Sequence, residues 1–219
     1  MASGRPSRAK LLGVKGEALA AATEIDRHIL DGPTRPAIER YAGVLYAALG
    51  YGDMATGLRR RFDRQTMIFS GLWGVVAPRD PIPDYKLKMG AALIGTGRLA
   101  AYWRELLTAG LAPVVDRRVV WDLLPNEHAA AWRPGQLTPR RRVTVRFLDD
   151  VVRNGRRQLV VVSHWNKWLK GALVRHVVEH QLVDPDGLAG FEHPEGYRYR
   201  SDLSTADDDV TQAVFVARR

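Results

Sequence analysis

Apolar and polar positions along the chain change period several times, and each change marks an element. Leu11, Leu12, Val14, Leu19, Ala22, Ile25 and Ile29 recur at three- and four-residue intervals, predicting a helix over 11–30 whose start is interrupted by Gly13 and Gly16. Gly32-Pro33 and Pro36 break the pattern, which resumes as helix from Pro36 to Leu49 and stops at Gly50-Tyr51-Gly52. Thr66 to Ser70 is a short apolar run that reads as a buried strand, and the Gly- and Pro-dense stretch from Gly71 to Gly90 reads as a structured loop. Leu99 to Leu111 has the period of an amphipathic helix containing Trp103. Val119 to Leu124 is a strand, and Asn126 to Trp132 forms one or two helical turns. Strands at Val143–Leu148 and Gln158–Ser163, a helix at Lys167–Gln181 and a last strand at Val210–Ala217 complete the pattern. Alternating strands and helices predict an α/β (mixed α+β) fold, one domain over 1–219 with a central mixed sheet flanked by helices. Tyr41, Tyr46 and Trp103 read as core.

Composition narrows the class. With 219 residues and 46% hydrophobic content the chain is long and apolar enough to bury a core, which excludes disorder over most of its length. No apolar run approaches the roughly 20 residues that span a bilayer, and residues 1–8 hold no apolar signal core. A cytoplasmic protein without membrane association is expected. The absence of cysteine removes disulfides, thiolate nucleophiles and Cys-ligated metals.

Charge is unevenly placed. The net charge is +9, and residues 131–176 alone carry 11 basic against 2 acidic side chains, whereas residues 177–219 carry 4 against 9. The basic region includes Arg140-Arg141-Arg142, Lys167 and Lys170. Such a cluster attracts phosphate backbones through counterion release, and it is equally the solvated surface of an Arg-rich chain. Trp165 and Trp168 lie among Lys167 and Lys170, a pattern that suits base stacking or, as plain core packing, burial of at least one ring.

Candidate chemistry sits at a few places. The segment 11–30 resembles a helix-hairpin-helix, whose glycine turn presents backbone N–H groups to phosphate. Here the turn is Gly13-Val14-Lys15-Gly16, with Lys15 displacing the second glycine; the other reading is an ordinary helix start. Asn126 and Glu127 follow a strand end, and Ser163 and Lys167 follow another and open a helix. With Asp80, Tyr85, Glu195 and Tyr197 these residues outline a polar cleft, for a ligand or for DNA. Singly, each is also explained as a cap, an ion pair or core. His176-Val177-Val178-Glu179-His180 matches an inverted zinc-peptidase pattern, but the apolar stripe Leu173, Val174, Val177, Val178 and Leu182 takes the core face, leaving both histidines at or near the surface without a third ligand. No catalytic residue, metal or cofactor is assigned.

Read together, several segments resemble one family, the YaaA peroxide stress response proteins. They are Phe69-Ser70-Gly71-Leu72-Trp73-Gly74-Val75-Val76, Asp80 to Gly90, Asp122-Leu123-Leu124-Pro125-Asn126-Glu127, Phe147-Leu148-Asp149, Ser163-His164-Trp165-Asn166-Lys167, Lys170-Gly171 and Glu195-Gly196-Tyr197. The resemblance runs from about Leu11 through nearly the whole chain. It implies a cytoplasmic, mixed α/β DNA-binding protein with a helix-hairpin-helix, linked to limiting damage where peroxide meets intracellular iron. Two departures stand out. Family members open with a β-strand and a Ser/Pro/Lys-bearing loop that are not found here, so this chain is expected to begin late. Lys88 also stands where some relatives carry an acidic residue.

The leading expectation is a non-enzymatic protein that binds duplex or junction DNA without regard to sequence, through Gly13, Lys15, Gly16, Arg140, Arg141, Arg142, Lys167 and Lys170, as a monomer. The alternative is an enzyme for a small anionic or nucleotide ligand in a cleft lined by Asn126, Glu127, Ser163 and Lys167. A third reading makes the motifs structural and the function one of binding a protein partner.

Overall fold

A computed structural model describes residues 8–162 and 165–219. In chain order the helices are α1 (Arg8–Leu12), α2 (Glu17–Arg27), α3 (Ala37–Arg40), α4 (Val44–Leu49), α5 (Thr56–Gln65), α6 (Leu99–Val115), α7 (Asn126–Ala129) and α8 (Asn166–Glu179). The strands are β1 (Arg35–Pro36), β2 (Ile68–Ser70), β3 (Gly74–Val76), β4 (Pro81–Ile82), β5 (Ala92–Leu93), β6 (Gly97–Arg98), β7 (Val119–Asp122), β8 (Arg141–Arg153), β9 (Arg156–Val161), β10 (Arg198–Tyr199), β11 (Thr205–Asp207) and β12 (Val210–Arg218). The fold is mixed α/β, as the alternation predicts. Among the described residues no helix is long and apolar enough to cross a membrane.

The residues sort into two compact units. One comprises the stretch ending at Tyr41 with Thr66–Pro113 and Leu124–Leu137; the other comprises Ala42–Gln65, Val114–Leu123 and Thr138–Arg219.

The first unit has little regular sheet. Its strands pair only two by two: β1 with β4, β2 with β3 and β5 with β6, all antiparallel. Leu12 and Ala22 are buried from the two N-terminal helices, and Leu99, Leu107 and Leu111 from α6. The predicted helix over 11–30 is broken where its glycines fall. Gly13 (φ +70) and Gly16 (φ +58) take the left-handed region that β-carbons disfavour, so α1 ends and α2 begins. The Gly71–Gly90 loop is structured, as expected, and contains β3 and β4.

The second unit is built on a six-stranded sheet. Its path runs β10-β12-β8-β7, with β11 also on β12 and β9 also on β8. The long strand β8 runs parallel to β12 from Arg142↔Val210 to Asp150↔Arg218, and parallel to β7 at its start. It then pairs antiparallel with β9 from Leu148↔Val161 to the hairpin end at Arg153↔Arg156. Period two decides what is buried. Val143 and Phe147 of β8 and Ala213, Phe215 and Ala217 of β12 point to one face, where Leu169, Leu173 and Val177 of α8 complete the core. Phe147 and Phe215 are register partners and stack at 5.1 Å. Leu148, Val214 and Val216 form a smaller cluster. Helix α8 lies close on α4: a β-carbon on Gly171 would sit 2.9 Å from Ala48 Cβ and 3.0 Å from the Leu45 carbonyl carbon.

The continuous helix expected from Pro36 to Leu49 is not formed. Pro36 belongs to β1, and Gly43, at φ +119, separates α3 from α4. Helix α5 escaped the pattern, because Leu58 and Phe62 are nearly the only apolar residues among TGLRRRFDRQ. Phe62 is nevertheless fully buried, and Arg61 ties the helix to the Val178 and Glu179 carbonyls at 3.1 and 3.2 Å.

Candidate functional site

In the first unit the helix pair meets the Asp80–Gly90 family segment. Helix α1 closes with Gly13 N–H donating to Ala9 C=O at 2.9 Å. Gly16 is the N-cap of α2, and no side chain caps its amides. Lys15, between the two glycines, is exposed. The segment after Asp84 is tied to this pair at two points. Lys86 N–H donates to Asp26 Oδ1 of α2 at 2.7 Å, and burial raises the Asp26 carboxyl above its usual range despite that bond. The Lys88 side chain lies directly over Gly13, where any β-carbon would collide with its Cε and Nζ. Lys88 therefore adds a cation to the glycine turn at the position where some relatives have an acid.

Behind this surface the motif glycines allow close backbone approach. A β-carbon on Gly71 would lie 2.7 Å from the Leu87 carbonyl oxygen and 2.8 Å from the Met89 nitrogen. On Gly90 it would lie 2.9 Å from the Glu127 carboxyl. The turn opened by Ser70 is held by its hydroxyl, which accepts the N–H groups of Leu72 (3.2 Å) and Trp73 (3.0 Å). Ser70 also shares a 2.6 Å hydrogen bond with the Tyr85 hydroxyl, which shares another of 2.7 Å with that of Tyr41. Tyr85 and Glu127 thus both adjoin the Ser70–Gly90 framework. Asp80 is set apart as a turn residue: its carboxylate accepts Ala77 N–H at 2.8 Å. Asn126 is exposed at the start of α7.

The remaining predicted cleft residues belong to the second unit. Tyr197 is fully buried in the core, so it lines no cleft. Its hydroxyl donates to Asp149 Oδ1 at 2.6 Å and accepts from Arg219 at 3.0 Å. Burial, with the Asp149 carboxylate adding to it, pushes the phenol up to about 12. Arg219 also meets Glu195 at 3.5 Å. The Phe147-Leu148-Asp149 and Glu195-Gly196-Tyr197 motifs are in this way two halves of one lock. Ser163 and His164 lie outside the described residues.

The basic block proves to be heterogeneous. Arg142 clamps the buried Asp122 carboxylate at 2.8 and 3.0 Å. Arg141 donates to Thr211 Oγ1, Arg140 to the Val183 carbonyl and Lys170 to the Leu123 carbonyl. Partial burial lowers the Lys170 ammonium below the usual lysine range. Lys167 and Trp165 are exposed, and Trp165 packs on the half-buried Trp168 at 5.4 Å, so neither ring is fully buried. His176 and His180 are adjacent at 4.4 Å between ring centres, but among the described residues no group of three potential ligands could hold a metal ion. What the sequence reasoning missed is Lys88 as part of the glycine turn. Its only signal was its departure from the family pattern.

A mixed α/β protein in which a glycine-turn helix pair is docked on a glycine-rich loop framework is the class that these observations define. The profile of the family described as peroxide stress protein YaaA matches residues 7–203, and the chain belongs to that family. Similar proteins include a UPF0246 protein of Streptomyces coelicolor, 39% identical over 81% of this chain and 64% of its own length. Others are UPF0246 proteins of Roseobacter denitrificans (35%, covering 81% and 69%) and Ruegeria pomeroyi (32%, covering 92% and 80%). This chain therefore spans just under two thirds of the Streptomyces relative.

Proposed function

We propose that this protein acts in the response to peroxide by binding DNA through its phosphates, and thereby limits iron-dependent oxidative damage. The family's description supports the peroxide role. The observation that carries the DNA reading is the glycine turn: two left-handed glycines, uncapped amides at the start of α2, exposed Lys15 between them, and Lys88 laid over Gly13. Amides at a helix start, with lysines at the turn, suit a phosphate oxygen and carry no base information. Binding is then insensitive to sequence and steeply sensitive to salt. Within the Arg140–Arg142 triplet Arg142 contributes least, because its guanidinium is paired with the Asp122 carboxylate, whereas Arg140 and Arg141 donate to neutral oxygens and keep their charge.

Fluorescence anisotropy with labelled duplex and four-way-junction DNA across a salt series tests this. Wild type binds at low salt, and Lys15→Ala/Lys88→Ala weakens it while flattening the slope of log Kd against log salt by about two, one per lost phosphate contact. Absence of binding at low salt refutes the proposal.

A further inference from the structure

We infer that the β8–β9 ribbon is a second DNA-contacting element, an arm that enters a groove of the duplex; the inference rests on the DNA-binding reading above. The pairing of β12 to β8 ends at Asp150, but β8 and β9 continue as a two-stranded ribbon through Val151↔Gln158, Val152↔Arg157 and Arg153↔Arg156. Three residue pairs at about 3.3 Å each carry the tip roughly 10 Å beyond the last β12 pair. The tip is a two-residue turn, Asn154 (φ 52) and Gly155 (φ 71), whose left-handed pair matches the twist of a tight hairpin and makes the ribbon a defined arm.

Its side chains are poorly explained by folding. Residues 151–158 carry three arginines and no acid. Arg153 and Arg156 are exposed and directly opposite each other, an arrangement of like charges that destabilises a hairpin. Neither has an ion pair among the described residues. On the other face, Val152 (64%), Leu159 (46%) and Val161 (59%) are exposed. Arg157 alone is satisfied, by a bidentate bond to Asp150 at 3.1 and 2.7 Å that braces the base of the ribbon. Opposed arginines at the tip of a ribbon become favourable when a polyanion lies between or beside them. A major groove about 12 Å wide admits a two-stranded ribbon, and apolar side chains on its flank can pack against the sugars, which carry no sequence information. Duplex DNA offers both features together.

The test is anisotropy of the whole chain with a labelled duplex over a salt series, comparing wild type with Arg153→Gln/Arg156→Gln. Removing two opposed exposed charges leaves the melting temperature unchanged or raises it. The variant is expected to bind about tenfold more weakly at low salt, with a slope flatter by about two. Wild-type binding with an indistinguishable variant overturns the ribbon assignment and leaves the DNA reading standing. Absence of wild-type binding overturns both.

Discussion

Gly71→Ala isolates what the Gly71-Leu72-Trp73-Gly74 motif does physically. Gly71 is buried, and its added β-carbon would face three backbone atoms: Leu87 O and Lys88 C at 2.7 Å and Met89 N at 2.8 Å. None is the end of a flexible side chain, so relief requires the 87–89 backbone to retreat by about half an ångström. That segment carries Met89, which is fully buried, and Gly71 C=O accepts the indole N–H of Trp103 at 2.9 Å. Overpacking of this kind costs typically 1–3 kcal/mol. For a chain of this size about 2 kcal/mol lowers the melting temperature by roughly 4–8 °C. Gly110→Ala supplies the opposite sign. It lies within α6 with nothing inside 4 Å of its β-carbon, so alanine should stabilise by about 0.5–1 kcal/mol through helix propensity and a less flexible unfolded chain. Urea denaturation followed by tryptophan fluorescence measures both. If Gly71→Ala unfolds within about 0.5 kcal/mol of wild type, below the smallest cost expected of overpacking, the close-approach argument is wrong.

Three further outcomes follow from the second unit. Arg142→Met removes the guanidinium that clamps the buried Asp122 carboxylate and should cost about 3 kcal/mol, much of it recovered in Arg142→Met/Asp122→Leu; a double variant no better than the single refutes the assignment. The Tyr197 phenol, raised to about 12, should appear in an absorbance titration at 295 nm as a component ionising well above the ordinary tyrosine range, and Tyr197→Phe should remove it. Because the unfolded phenol ionises near 10, stability falls as pH climbs from 10 towards 12, and Tyr197→Phe removes that loss. Burial holds His176 and His193 below the usual histidine range, with His180 adding to the effect at His176. The unfolded chain then takes up protons first, so stability is lost as pH falls below about 6.5. His176→Gln/His193→Gln should flatten the melting temperature between pH 7 and 5, and an unchanged slope counts against this.

Local pattern was enough for much of this protein. Period two in β8 and β12, period 3.6 in α6 and α8, and the left-handed turn at Gly13–Gly16 are dictated by neighbours a few residues away, and all are readable in the chain. Family motifs could be found from short strings, because each string is contiguous. The tertiary structure decided what those strings do. Tyr197 is legible as a polar aromatic, yet only its burial against Asp149 and Arg219 makes it a lock instead of a cleft wall. Arg142 counts as surface charge until Asp122, twenty residues earlier, is seen to hold it. Lys88 joins the glycine turn from 75 residues away, because Gly13 has no β-carbon to keep it out. Secondary structure is set by spacing along the chain, whereas the availability of a charge is set by desolvation and by partners brought from distant positions, and folding alone determines those.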